Sequence, residues 1–333
     1  MNRERECLIH IGTHKTGTSL FQQILFNDPA MRPGGASVYP RTGLWPYDRS
    51  HNLFGVYLWE GIRRDLQTQP FERVVAQMLS EAAGADRVIV SSEVLEKCPL
   101  RGNGRIGEFV RLLKSRGYAV RILYVIRRPD HLADAVFKQW VRDFDTKFCG
   151  KPFDMAMGEA RGMNFSRVAE AWQGLGVDRI KIIPYADADP LLAVAALLEA
   201  CGVEADIAKW RDRVVNPSLD GFVLRFKHFV NRFGFDREFN ERLTVILDQL
   251  AEDRGPEPRL TMFSPTKRAD YLKQFEEDWR YLGQNYGVDL AGWRNPATPE
   301  RELFQPLESH EVEPALRWLG TADPAIVRNL KIA

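Results

Sequence analysis

The chain has 333 residues, of which 46 are Lys or Arg and 45 Asp or Glu, so its formal net charge is +1. That length supports one large domain or two modest ones, and the near-neutral balance argues against nucleic acid or an anionic membrane as the bulk partner. Four cysteines, Cys7, Cys98, Cys149 and Cys201, stand far apart without a CxxC pair, which argues against both a disulfide framework and a zinc site.

The first residues, MNREREC, are too charged for a leader, and no stretch reaches 18 apolar residues, so a soluble, cytoplasmic chain with reduced thiols is expected. Along the chain, short β-branched runs alternate with longer stretches of helical spacing. Strands are predicted at 7–11, 37–39, 87–90, 120–126 and 180–183. Helices are predicted between them at 18–26, 51–66, 71–83, 106–115, 131–144, 165–175 and 191–201. This alternation predicts an α/β fold, a parallel sheet of about five strands flanked by helices. After about residue 216 the strand signals stop, and 219–233, 236–251 and 266–286 read as helices, the first with Ser218 as N-cap and the last closing at Gly287. Residues 295–333 shift toward Pro, Thr and Glu and read as a tail with one amphipathic piece at 312–319.

The segment LIHIGTHKTGTSLFQQIL, residues 8–25, runs a strand into a Gly- and Thr-rich turn and then into a helix. Such a turn aims backbone N–H groups and the positive end of a helix dipole at one point, which suits a phosphate. A triphosphatase loop places its Lys directly after the last Gly and follows it with a hydroxyl for Mg²⁺. Here Lys15 stands two residues before Gly17. The neighbouring strand ends offer Ser91-Ser92-Glu93 and Arg127-Arg128-Pro129, so cations stand at one of the two places where a metal site would want an acid. A P-loop-like site that holds phosphates without a metal is the expectation.

Two motifs carry a family resemblance. The strand, Lys15-Thr16-Gly17-Thr18-Ser19 and helix resemble the 5′-phosphosulfate loop of sulfotransferases that use 3′-phosphoadenylyl sulfate (PAPS), and YVIRRPDHLADAV resembles their 3′-phosphate motif. Tyr39-Pro40, His51, Ser91-Ser92-Glu93 and FSPTKRADYLKQFEEDWRYL are similar to segments of soluble bacterial sulfotransferase-like proteins. The resemblance covers residues 8–289 and implies a sulfotransferase-like domain over 1–294, helical from about 216, followed by the tail.

The resemblance implies roles for individual residues. Lys15 would stabilise the bridging oxygen as it leaves, a task open to a fixed lysine because a sulfuryl group carries less charge than a phosphoryl group. Thr16, Gly17, Thr18 and Ser19 would cradle the 5′-phosphate through N–H and hydroxyl donors, with Thr13 and His14 beside it. Arg127 and Arg128 would meet the 3′-phosphate, or else pair with Asp130 or Asp134. The family's Ser, eight residues after the Arg, is replaced by Ala135. Helical spacing puts His131, Asp134, Ala135 and Lys138 on one face, so Lys138 either replaces that hydroxyl or joins a solvated surface. The family's glycine-rich adenine-side segment is not evident.

A general base must take the acceptor's proton, and Glu93 and His51 are the candidates. Glu93 stands on the carboxyl edge of the sheet, where ligands of open parallel sheets gather, with an N-cap or ion-pair role as its alternative. His51 follows YPRTGLWPYDRS, whose Trp45 and Tyr47 suit stacking on a sugar or aromatic acceptor, though it also serves simply to begin a helix. His10 alternates into the first strand and reads as a packed core residue; Asn216, before Pro217, reads equally as a cofactor contact or a helix-entry turn. The leading expectation is a metal-free, PAPS-dependent sulfotransferase acting on a hydroxyl of a saccharide or small metabolite. The alternatives are a non-catalytic PAPS- or nucleotide-binding module and a nucleotide kinase with an atypical loop, which would need Mg²⁺.

Overall fold

All five predicted strands form. The computed structural model describes residues 5–47, 49–59, 64–101, 104–143, 152–162, 164–210, 219, 221–233, 235–254, 259–295 and 301–322. In chain order the elements begin with β1 (Arg5–Gly12), α1 (Thr18–Asn27), β2 (Ser37–Val38), α2 (Asn52–Leu58), α3 (Phe71–Glu81), β3 (Arg87–Ser91), α4 (Gly104–Ser115) and β4 (Tyr118–Ile126). There follow α5 (Pro129–Arg142), α6 (Phe153–Arg161), α7 (Phe165–Gly174), β5 (Arg179–Pro184), α8 (Leu191–Ala200), α9 (Gly221–Val230) and α10 (Arg237–Arg254). The last are β6 (Arg259–Thr261), α11 (Pro265–Lys273), α12 (Glu276–Tyr286), β7 (Arg301–Leu303) and α13 (Ser309–Ala322). Two compact units result, Met1–Arg128 with Met163–Val215 and Phe275–Trp293, and Pro129–Gly162 with Asn216–Gln274 and Arg294–Ala333.

The first unit is built on a parallel sheet in the order β2-β3-β1-β4-β5. β1 and β4 are buried along almost their whole length, as strands covered on both faces must be, and their sequences are accordingly near-continuous apolar runs. On one face Leu8, Ile89, Leu123, Val125 and Ile183 meet Phe21, Ile24 and Leu25 of α1 and Val194, Leu197 and Leu198 of α8. Each such side chain, fully buried, contributes about 1.5–3 kcal/mol. The register pairs His10 with Ser91 and Gly12 with Val125. The exits of β3 and β4 therefore flank the turn that follows β1.

The second unit has its own core, in which Phe137 and Val141 of α5 pack with Val223, Phe226 and Val230 of α9, Leu243 and Leu247 of α10, and Leu319 of α13. β6 pairs in parallel with β7, so strands do not stop at residue 216. Runs of three residues carry too little alternation to be legible. Asp134 fastens this small sheet to α5, accepting from Thr261 Oγ1 at 2.7 Å and from Met262 N at 2.9 Å, with Arg301 Nη1 3.5 Å away. Beside it Arg268 Nε lies 3.0 Å from Asp130 Oδ2, while its Nη2 donates to Thr261 Oγ1 at 2.7 Å.

Two of the predicted helices are interrupted, and one helix is additional. The helix predicted over 51–66 ends at Leu58, with a separate single turn at Arg64–Leu66. The one predicted over 266–286 divides at Gln274 and Phe275, and its halves, α11 and α12, belong to different units. α6 was not expected. Ser218, Asn216, Phe144 and Cys149 lie outside the described residues, while Cys7, Cys98 and Cys201 are buried free thiols. No helix among the described residues is long and apolar enough to cross a membrane.

Candidate active site

The chain turns sharply between β1 and α1. It does so with two left-handed residues, Lys15 at φ 71° and Gly17 at φ 69°. Glycine adopts that conformation without steric cost, whereas a lysine there stores about 1–3 kcal/mol of strain. Arg127 helps hold the strained residue, its Nη1 donating to the Lys15 carbonyl at 2.6 Å. Gly17 is the N-cap of α1 and brings no side chain to cap it, and the first turn carries no acid. The positive end of α1 thus receives no cap or acid from its own first turn.

The threonine hydroxyls of the turn are engaged within the protein. Thr13 donates both its N–H and its hydroxyl to Val125 O, at 3.1 and 3.2 Å. The Thr16 hydroxyl donates to Thr13 O at 2.8 Å, and that of Thr18 to Glu93 Oε1 at 2.5 Å. A hydroxyl has one proton, so in this arrangement the side chains of Thr13, Thr16 and Thr18 hold the loop's own shape. The side chains at the surface of the turn are the exposed Lys15 and His14 and the half-exposed Ser19. Crowding in the loop lowers the His14 pKa, with Glu93 opposing and Lys15 assisting, although the ring still presents surface to solvent.

Glu93 stands just past β3, beside this turn. Its Oε1 accepts from Thr18 and also from Gln22 Nε2 at 3.3 Å. Burial alone would raise its pKa, but the nearby His14 and His10 rings and the Thr18 hydroxyl outweigh burial and hold it below the usual carboxylate value. The group is an ionised acceptor at neutral pH. Gln22 Nε2 also donates to Ser91 Oγ at 3.0 Å, and Ser91 Oγ lies 2.8 Å from His10 Nδ1. His10 is packed in the core as expected, edge-on to Phe21 at 5.6 Å between centroids, and burial lowers its pKa to about 4. Gln22 was not singled out from sequence, and Ser91 only as a member of the Ser91-Ser92-Glu93 run. A glutamine within the apolar stripe of α1 was the available signal.

His51 is corrected as a base candidate. Its side chain is fully buried, Nδ1 accepts from Ser91 N at 3.1 Å, and Nε2 therefore donates to Pro40 O at 3.0 Å. Both ring nitrogens are engaged by backbone, and burial lowers the pKa to about 3. His51 fastens the chain after β2 to the end of β3.

Arg127 Nε donates to Asp187 Oδ2 at 3.2 Å and Nη2 to Oδ1, so the ion-pair partner is an acid beyond those expected at Asp130 and Asp134. Its guanidinium lies 5.0 Å from the Tyr185 ring centroid, and a Cβ on Gly17 would stand 3.4 Å from the same ring. Tyr185 and Asp187, at the exit of β5, were also not singled out from sequence. Arg128 is buried at 7% exposure. Lys138 is on α5 in the second unit, 8% exposed rather than solvated, and its charge helps Asp134 ionise against the burial that raises that carboxyl's pKa.

The first unit thus brings together an uncapped helix terminus, a lysine and an ionised carboxylate. Such a set stabilises negative charge on a departing oxygen and accepts a proton. Among the described residues no group of three His, Cys, Asp or Glu gathers as a metal site. No family model matches the chain, and no curated protein matches it.

Proposed function

We propose that the chain is a sulfotransferase that moves a sulfuryl group from PAPS to an acceptor hydroxyl of a saccharide or small metabolite. The observation that carries this is the placement of Lys15 in a strained left-handed turn at the uncapped end of α1, the same turn whose Thr18 hydroxyl bonds the Glu93 carboxylate. PAPS, when bound, supplies the sulfuryl group and a phosphate as leaving group. Backbone N–H groups of residues 16–19 and the α1 dipole would hold its 5′-phosphate, which is a task their geometry fits. Lys15 would donate toward the bridging oxygen, where negative charge grows. Glu93 would take the proton of the acceptor hydroxyl. Arg127 and Arg128 would meet the 3′-phosphate, Arg127 sharing its charge with Asp187. That internal carboxylate makes the 3′-phosphate side the less complete part of the fit.

The test begins with binding. The desulfonated product, 3′-phosphoadenosine 5′-phosphate (PAP), should stabilise the fold in EDTA by about 2.7 kcal/mol at a hundred times Kd, and AMP much less. Melting unmoved by PAP but raised by Mg-ATP would end this proposal in favour of a kinase. Lys15→Ala should lower kcat about a hundredfold or more, measured with labelled PAPS against a panel of saccharides and phenols. Unchanged turnover would remove Lys15 from the chemistry.

A further inference from the structure

We infer that Gln22, Ser91 and His10 form a buried positioning string that fixes the Glu93 carboxylate, an inference that rests on Glu93 being the proton acceptor. Gln22 is 1% exposed, and its Nε2 donates to both Ser91 Oγ and Glu93 Oε1, so the amide is held at one end by the residue that ends β3 and at the other by the carboxylate. Ser91 Oγ accepts from Gln22 Nε2, and the same hydroxyl lies 2.8 Å from His10 Nδ1, which extends the string into β1. The other ring nitrogen of His10 is Nε2.

That Nε2 is buried without a hydrogen-bond partner among the described residues, and a Cβ on Gly12 would stand 3.2 Å from it. A buried polar nitrogen left without a partner is destabilising. A phenyl ring against Phe21 would avoid that penalty, so packing alone does not account for an imidazole here. What the imidazole supplies is a hydrogen-bond partner for the Ser91 hydroxyl, the same hydroxyl that receives Gln22. The chain of bonds ends on the Glu93 carboxylate.

The titratable groups that act on Glu93 are His14 from the loop and His10 from β1, with Glu96 on its own segment. α2, packed on that segment, brings only the phenol of Tyr57. The neutral amide of Gln22 stabilises the ionised carboxylate directly. Removing it should raise the Glu93 pKa, by about one pH unit for one hydrogen bond to a charged group.

The experiment uses the full chain labelled with ¹³C at glutamate carboxyls, with the Glu93 signal identified by its loss in Glu93→Gln. Gln22→Met keeps the volume of the side chain, Ser91→Ala removes one atom, and His10→Phe keeps a ring. The Glu93 midpoint should rise by about one unit in Gln22→Met and by less in Ser91→Ala and His10→Phe, and the acidic limb of the kcat profile should move with it. A midpoint that stays in place in Ser91→Ala, and in Gln22→Met where that variant folds by circular dichroism, overturns the string even if turnover falls. Should the midpoint move while no acceptor is sulfonated, the string stands and the role of Glu93 in sulfuryl transfer falls.

Discussion

Replacing Glu96 by Gln should remove a pH-dependent loss of stability from the first unit. The Glu96 side chain is 2% exposed, its Oε1 accepts from Tyr124 OH at 2.9 Å, and its carbonyl accepts from Trp172 Nε1 at 3.3 Å. Burial pushes its pKa from 4.5 up to about 7, against the opposing effects of the Tyr124 bond and Lys97. In the unfolded chain this carboxyl ionises near 4.5, whereas the folded protein keeps the proton until about 7. Between these values unfolding releases a proton, so stability falls as pH rises through the window and levels off above it. At about 1.36 kcal/mol per pH unit the gap amounts to about 3 kcal/mol, undiminished by solvent because the group is buried. Gln keeps an acceptor for Tyr124 and cannot ionise. Urea unfolding followed by circular dichroism should therefore show wild type and Glu96→Gln close together near about pH 4, with the variant more stable by up to about 3 kcal/mol near about pH 8. Other groups titrate equally in both proteins and cancel in the difference. A difference that does not change with pH would refute the burial argument.

Two further outcomes follow from side chains that the structure engages fully. His51→Asn should cost about 1–3 kcal/mol of stability through two buried backbone bonds, while the acidic limb of any turnover stays where Glu93 sets it. A limb displaced by this variant would restore His51 as a base. Asp134→Ala should cost about 3–5 kcal/mol, since it leaves Arg301 and the Thr261 and Met262 donors without their buried carboxylate. A loss below about 1 kcal/mol in thermal or urea unfolding would show that the carboxylate contributes little beyond its own desolvation.

The positions of the sheet strands were legible because each is a local pattern. β1, β3 and β4 are apolar β-branched runs bounded by polar turns, and α1 begins where Gly17 and Thr18 signal it. The strand-to-helix turn itself was legible for the same reason, since a glycine-bearing turn of this kind is contained within a dozen residues. β6 and β7 escaped because three residues cannot display an alternation, and a pairing between residues 259 and 301 leaves no local trace.

Sequence by itself determined the α/β class, the five strands and the loop that carries Lys15, because backbone preference and apolar periodicity act over a few residues. Only the tertiary structure decided which polar atoms remain for a ligand. The order β2-β3-β1-β4-β5 brings Val125 to Thr13, Glu93 to Thr18 and Asp187 to Arg127, and so removes two hydroxyls and a guanidinium fork from simple solvent exposure. The same order closes both nitrogens of His51 between Pro40 and Ser91 and strings His10 to Glu93 through Ser91 and Gln22. A side chain's chemistry is written in its identity, but its proton and its lone pairs are assigned by neighbours that folding brings from 11 to 112 residues away.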